Sequence, residues 1–325
     1  MTGTSLPELR LPNGIVVPAD VVEGFMWADR DSGLEWVHHL PDRLADVLAG
    51  LGITLAREFP NHSMNLVLFG TSRHDGPVVI KTSPPHEEIT AEIDALRMHA
   101  SPRVVNLLHA DPTFSIMIQR RILPGDTLRS HVESGRLAER DAAEIAAGLM
   151  RDYWEIPDDS LKAIHLDRWF RSLYAYRDRH PDGSGRLEAR NVELAIVQAD
   201  ELLASQREQV TVHGDLHHDN ILLDAEHGWT IIDPKGLVGE RGYDIGQWMI
   251  NPPGVHRNPN LAELTDHRLD WFSDFLGIER RRLWQWAMVQ TVLSDCWNLE
   301  GNENAELFAQ PVASILAAMP EASGS

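Results

Sequence analysis

Apolar positions along the chain fall into two textures, and the change comes near residue 121. Between residues 33 and 51, Leu40, Leu44, Val47 and Leu51 recur at helical spacing, which predicts an amphipathic helix packed on a sheet. Residues 65–71 and 77–82 are β-rich runs separated by the turn-forming Ser72-Arg-His-Asp-Gly76. They read as a hairpin with Lys81 near the end of its second strand. From residue 86 to 100, Ile89, Ile93 and Leu96 stand at i, i+4 and i+7, a helix that buries one stripe and carries Glu92 at the stripe's edge. Residues 103–108 and 113–118 predict two further strands, followed by a Pro- and Gly-bearing connection over 120–125.

Beyond Asp126 the pattern turns to long helical segments, at 138–154, 161–178 and 187–206, with one strand-rich interruption at 210–234. A chain of 325 residues can bury two cores. The expectation is therefore an α+β, two-lobed protein: a small β-rich lobe over residues 1–121 and a larger helical lobe over 122–325.

The interruption holds the densest cluster of reactive side chains. His213-Gly-Asp215-Leu-His-His-Asp-Asn220 precedes an apolar strand, a turn, and Trp229-Thr-Ile-Ile-Asp233-Pro-Lys-Gly236. Asp215 and Asn220 stand five apart, the D-x-x-x-x-N spacing of a kinase catalytic loop, and Asp233 follows a second strand, where a magnesium-binding aspartate belongs. Phosphoryl transfer needs an oxygen that orients and finally deprotonates the attacking hydroxyl, a role that suits Asp215. It also needs hard oxygen ligands for Mg²⁺, which Asn220 and Asp233 supply. Singly, each is an ordinary turn residue; together, on a strand-turn-strand frame, they define a nucleotide-metal site.

Lys81 and Glu92 complete that site, the lysine toward the α/β-phosphates and the glutamate fixing the lysine, with Glu88 as the alternative partner one turn away. No G-x-G-x-x-G loop occupies the first hairpin; Asn61-His-Ser63-Met-Asn65 stands there. Ser63 and Asn65 are candidates for phosphate, with a simple polar turn an equal reading. His213, His217 and His218 lack the cysteine or i, i+4 carboxylate partners of a zinc site.

Charge and cysteine content narrow the partners. A formal net charge of −20 disfavours nucleic acid, which requires Lys and Arg patches, and would attract a cationic substrate if it serves more than solubility. Cys296 is the only cysteine, so an intramolecular disulfide is impossible. No run of about 20 apolar residues suggests a membrane helix, and the first ten residues lack the features of a signal peptide. The cytoplasm is the expected location.

With these residues in view, the chain resembles the aminoglycoside phosphotransferase superfamily, and within it the streptomycin 6-kinase and hydroxyurea phosphotransferase family. The resemblance runs over about residues 33–318. It rests on Val79-Ile-Lys81, Ala91-Glu92-Ile-Asp-Ala-Leu96, Leu123-Pro-Gly125, His213 to Asn220, and Ile232-Asp-Pro-Lys-Gly-Leu-Val-Gly-Glu-Arg-Gly-Tyr-Asp244. The Pro-Lys after Asp233 is its most selective part, unlike the Asp-Phe-Gly of protein kinases. Gln119-Arg120 departs from the Glu-Arg usual in this family.

The resemblance implies a bilobal protein-kinase-like fold, ATP and Mg²⁺ as cofactors, and purine recognition through the backbone around Arg120 and Ile122. It also implies an acceptor site on late helices. There Gln290, Ser294 and Trp297 fall at i, i+4 and i+7, and Asp295 and Glu300 add acidity for a small, hydroxylated, cationic substrate. The expected activity is an antibiotic-resistance kinase for streptomycin-type aminoglycosides. A metabolic kinase of an amino sugar is the alternative, because a fold does not fix the substrate. A protein kinase is disfavoured by the lack of an Ala-Pro-Glu segment after Asp233, and a non-catalytic nucleotide sensor by the presence of Lys81, Asp215, Asn220 and Asp233 together.

Overall fold

The computed structural model describes residues 8–26, 30–57, 65–157 and 161–323. It divides into two compact units, Met1–Ala100 with Val105–Leu123, and Ser101–Val104 with Pro124–Ser325.

In the first unit, helix α1 (Arg30–Leu51) packs on an antiparallel five-stranded sheet. The strands are β1 (Ile53–Leu55), β2 (Leu66–Ser72), β3 (Gly76–Thr82), β4 (Leu107–Asp111) and β5 (Ile116–Arg120), in the order β1-β2-β3-β5-β4. Trp36, Leu40, Leu44 and Leu48 form one buried row of α1 at successive i+4 steps. Val47 and Leu51, expected in that stripe, lie at its partly buried rim. The row meets Leu66, Leu68, Val78, Ile80, Ile116 and Ile118 on one face of the sheet; each fully buried aliphatic side chain contributes about 1.5–3 kcal/mol. Helix α2 (Glu87–Met98) buries Ile89, Ile93 and Leu96, as its spacing predicts, together with Glu92.

The β2–β3 hairpin is paired from Leu66↔Thr82 to Ser72↔Gly76. Its turn is closed by Ser72, whose hydroxyl oxygen accepts the Asp75 N–H at 3.1 Å. The strand expected at 103–108 is not formed as such. Arg103 and Val104 belong to the second unit, where Val104 bridges Ile231, and pairing within the first sheet starts only at Leu107.

The second unit is mainly helical: α3 (Leu128–Glu133), α4 (Glu139–Tyr153), α5 (Arg171–Arg179), α6 (Ala189–Ala204), α7 (Ile245–Met249), α8 (Leu261–Leu276), α9 (Arg280–Gly301) and α10 (Gln310–Ala318). From Leu283 to Cys296 every residue of α9 is buried, as befits a central helix; α5, α6, α7, α8 and α10 all pack on it. Burial pushes the Cys296 thiol up to about 12.

Two small sheets cross this helical body. One comprises β6 (Pro124–Thr127), β9 (Ile221–Asp224) and β10 (Gly228–Ile231), the other β7 (Ile164–His165), β8 (Val210–Val212) and β11 (Leu237–Gly239). The single helix expected over 161–178 is therefore interrupted: Ile164 pairs with Leu237 in parallel before a helical turn at Leu166–Trp169 and α5. A tertiary pairing overrides the local helical pattern there. Among the described residues no helix is long and apolar enough to cross a membrane.

Candidate active site

The loop that carries Asp215 is built by the ladder beneath it. β8 and β11 run antiparallel with Val212 opposite Leu237, and one step beyond, His213 accepts the Lys235 N–H on its carbonyl at 2.8 Å. Gly214 then takes φ +79°, and a Cβ there would lie 2.6 Å from Leu237 Cδ1 and 3.2 Å from Lys235 Cβ. Only glycine suits both the angle and the space. A 3₁₀ turn at His218–Asn220 closes the loop. The Asn220 side-chain amide donates to the Asp215 carbonyl at 2.9 Å, and the Asn220 carbonyl accepts the Ile232 N–H at 3.0 Å. The β9–β10 hairpin, with Ile221 opposite Ile231, returns the chain so that Asp233 follows beside Asn220. Asp233 itself has φ +59°, a left-handed conformation uncommon for a non-glycine residue.

Two buried residues hold this loop from behind. The His213 ring accepts the Asp215 N–H at Nδ1, 3.2 Å away, and contacts the Ile232 carbonyl through Nε2 at 2.9 Å. This places the ring proton on Nε2. Burial lowers its pKa to about 4, so the neutral form persists at neutral pH. Asp244 accepts N–H bonds from Gly214 at 2.8 Å and His213 at 3.1 Å, and from the Trp154 indole at 2.8 Å. Its burial raises its pKa to about 6 against the pull of those donors.

The Asp215 side chain is 24% exposed, with Lys235 Nζ 3.6 Å from Oδ2 and His217 Nε2 4.0 Å from Oδ1. The Asn220 nitrogen is engaged by the Asp215 carbonyl, which leaves the amide oxygen as the side chain's acceptor. Among the described residues no group of three or more His, Cys, Asp or Glu could hold a metal. One amide oxygen and one carboxylate fit Mg²⁺, which keeps several waters and phosphate oxygens in its shell.

In the first unit, Lys81 Nζ lies 2.8 and 2.7 Å from the two carboxylate oxygens of Glu92, with the residues 5% and 6% exposed. β3 presents the lysine and α2 the glutamate. Asn65 immediately precedes β2, Arg120 ends β5, and Ile122 is buried just beyond it; Ser63 lies outside the described residues. Glu88, the alternative partner, stands one turn before Glu92 on α2.

Of the five residues expected to meet an acceptor, three are buried and engaged within the protein. Gln290 is 0% exposed and accepts the Tyr243 hydroxyl, Ser294 donates to the Gln290 carbonyl at 2.9 Å, and Asp295 accepts the Ala309 N–H at the start of α10. Trp297 and Glu300 retain surface. Trp297 packs edge-on against Trp169 at 5.1 Å, and Glu300 accepts the Ser172 hydroxyl and faces Arg179 at 3.7 Å. The Trp169 indole in turn donates to the Tyr243 hydroxyl at 2.7 Å.

No role for Asp244 or Trp169 follows from the sequence, and Lys235 stands out there only as part of the Pro-Lys that carries the resemblance. Asp244 and Lys235 stand inside the quoted motif, but their partners are distant loop atoms; Trp169 falls in the segment read as continuous helix.

A β-sheet unit with a Lys–Glu pair, and a helical unit with a His-Gly-Asp loop beside a strand-borne aspartate, define the protein-kinase-like class. A choline kinase from Streptococcus pneumoniae shares the fold with a TM-score of 0.62 at 12% identity, over 86% of this chain and all of that one. The family model described as aminoglycoside/hydroxyurea antibiotic resistance kinase matches residues 56–301, and the chain belongs to that family. It is thus a phosphotransferase that uses a hydroxyl acceptor. Its relatives include the hydroxyurea phosphotransferase of Kitasatospora aureofaciens, 27% identical over 90% of this chain and 82% of the relative. The streptomycin 6-kinase of Streptomyces glaucescens is 25% identical over 90% and 93%.

Proposed function

We propose that this phosphotransferase moves the γ-phosphoryl group of ATP, with Mg²⁺, onto a hydroxyl of a streptomycin-type aminocyclitol and so confers resistance to that antibiotic. The likeness to streptomycin 6-kinase over nine-tenths of the chain carries this reading. Two features support it: partly exposed Trp297 and, three residues on along the same helix, the exposed Glu300, suited to a sugar face and a guanidinium, and a net charge of −20 that attracts cations. The similar likeness to hydroxyurea phosphotransferase favours hydroxyurea as a second acceptor.

In this mechanism Asp215 accepts a hydrogen bond from the acceptor hydroxyl, aligns its oxygen on the γ-phosphorus and takes its proton as the new O–P bond forms and the bond to ADP breaks. Asn220 and Asp233 would hold the metal, which when bound neutralises charge on the phosphates. Lys81, fixed by Glu92, takes the α/β-phosphates, with Asn65 and Ser63 as further phosphate contacts and the backbone at Arg120 to Ile122 for the base. His213 and Asp244 keep the loop in register.

The test is magnesium-dependent ADP release from ATP with streptomycin, other aminoglycosides, hydroxyurea, glucosamine and no acceptor. Turnover with streptomycin well above every other acceptor is expected. Turnover confined to hydroxyurea or glucosamine replaces this acceptor while keeping the chemistry; acceptor-independent nucleotide binding without turnover would overturn both.

A further inference from the structure

We propose that Lys235 is a positioning residue for phosphoryl transfer: its ammonium holds Oδ2 of Asp215 so that Oδ1 is the oxygen presented to the acceptor hydroxyl. The inference rests on Asp215 being the proton-accepting carboxylate.

The loop fixes the backbone of Asp215 thoroughly, through its N–H on His213 and its carbonyl on Asn220. Its carboxylate, by contrast, has no such anchor from the loop backbone, and the side chains that come within ion-pair distance of it among the described residues are Lys235 and His217. A carboxylate that must receive a proton in line with an attack needs its rotamer set by a neighbour. Lys235 is built for this. Its N–H is tied to the His213 carbonyl, Pro234 and Gly236 (φ +65°) bracket it, and the missing Cβ of Gly214 lets its own Cβ approach the loop. At 3.6 Å the pair is an ion pair just beyond hydrogen-bond reach, the looseness common before a reacting complex tightens. His217 stands 4.0 Å from the other oxygen and leaves it open.

Lys235→Met is expected to lower kcat by about 10–100-fold, the usual effect of a misplaced reacting group, while the KM for ATP changes by less than about twofold. Lys235→Arg should restore most of the loss. In an Asp215→Asn background Lys235→Met should have no further effect, because the lysine acts through that carboxylate. Unchanged kcat in Lys235→Met, a raised KM for ATP at constant kcat, or full additivity with Asp215→Asn would overturn the proposal.

Crystal structures of wild type and Lys235→Met provide a readout independent of any acceptor. The Asp215 carboxylate should leave its wild-type position or split between rotamers; an unmoved, fully occupied carboxylate would also overturn the proposal. If Asp215→Asn alone leaves turnover unchanged, the role assigned to Asp215 fails, whatever the Lys235 structures show.

Discussion

The Asp215 carboxylate is reached by few groups, and the residues that support it differ in how visible they are in the sequence. Asp215, Asn220 and Asp233 were legible because their spacing reflects local geometry: a turn of five residues and a return hairpin. Asp244 was not, since its worth lies in three N–H groups from positions 154, 213 and 214, which no spacing announces. Asp215→Ala should lower kcat by at least about 100-fold with ATP affinity nearly unchanged, measured by steady-state kinetics and calorimetric titration. Asp244→Ala would leave the buried N–H groups of His213 and Gly214 without their acceptor, at about 1–3 kcal/mol each. A clear fall in both Tm and kcat is expected, and thermal unfolding beside the assay checks it.

The elements show where sequence patterns succeed and stop. Long stripes such as those of α1, α2 and α4 were readable, because one face of each helix is apolar over several turns. The two- and three-residue strands β7 and β11 were not, because a short parallel pairing depends on what lies opposite and leaves no period of its own. Between elements, α4 and α8 are joined by an ion pair that is deeply buried on the Arg268 side. Arg268 is 1% exposed and donates to Glu139, as well as to the Trp248 carbonyl at 2.7 Å. Burial would raise the Glu139 pKa, but His218 at 3.7 Å and the Arg268 guanidinium outweigh it and hold the value at about 2, below the ordinary 4.5. The stabilisation is therefore present above about pH 4.5 and is lost as pH falls toward 2. It amounts to at most about 3 kcal/mol, partly offset because Arg268 is desolvated too. Glu139→Gln should be less stable than wild type at pH 7, and the gap should close on acidification. Urea unfolding across pH measures it.

At the scale of the whole molecule the charge of −20 is the simplest lever on substrate choice. For a cationic acceptor, KM should rise severalfold between low and about 0.5 M salt as the field is screened. For neutral hydroxyurea it should stay nearly flat, so a salt titration separates the two acceptors. The path of the chain carries a different lesson. Residues 101–104 precede the last strands of the first unit yet belong to the second. There the Arg103 carbonyl accepts the Ile231 N–H at 2.9 Å and its guanidinium pairs with Asp152 at 2.6 Å. A fragment begun at Pro124 would therefore lack a piece of its own framework two residues from Asp233. Any split or transplanted version of the helical half has to bring those four residues along as a separate peptide or a new linker.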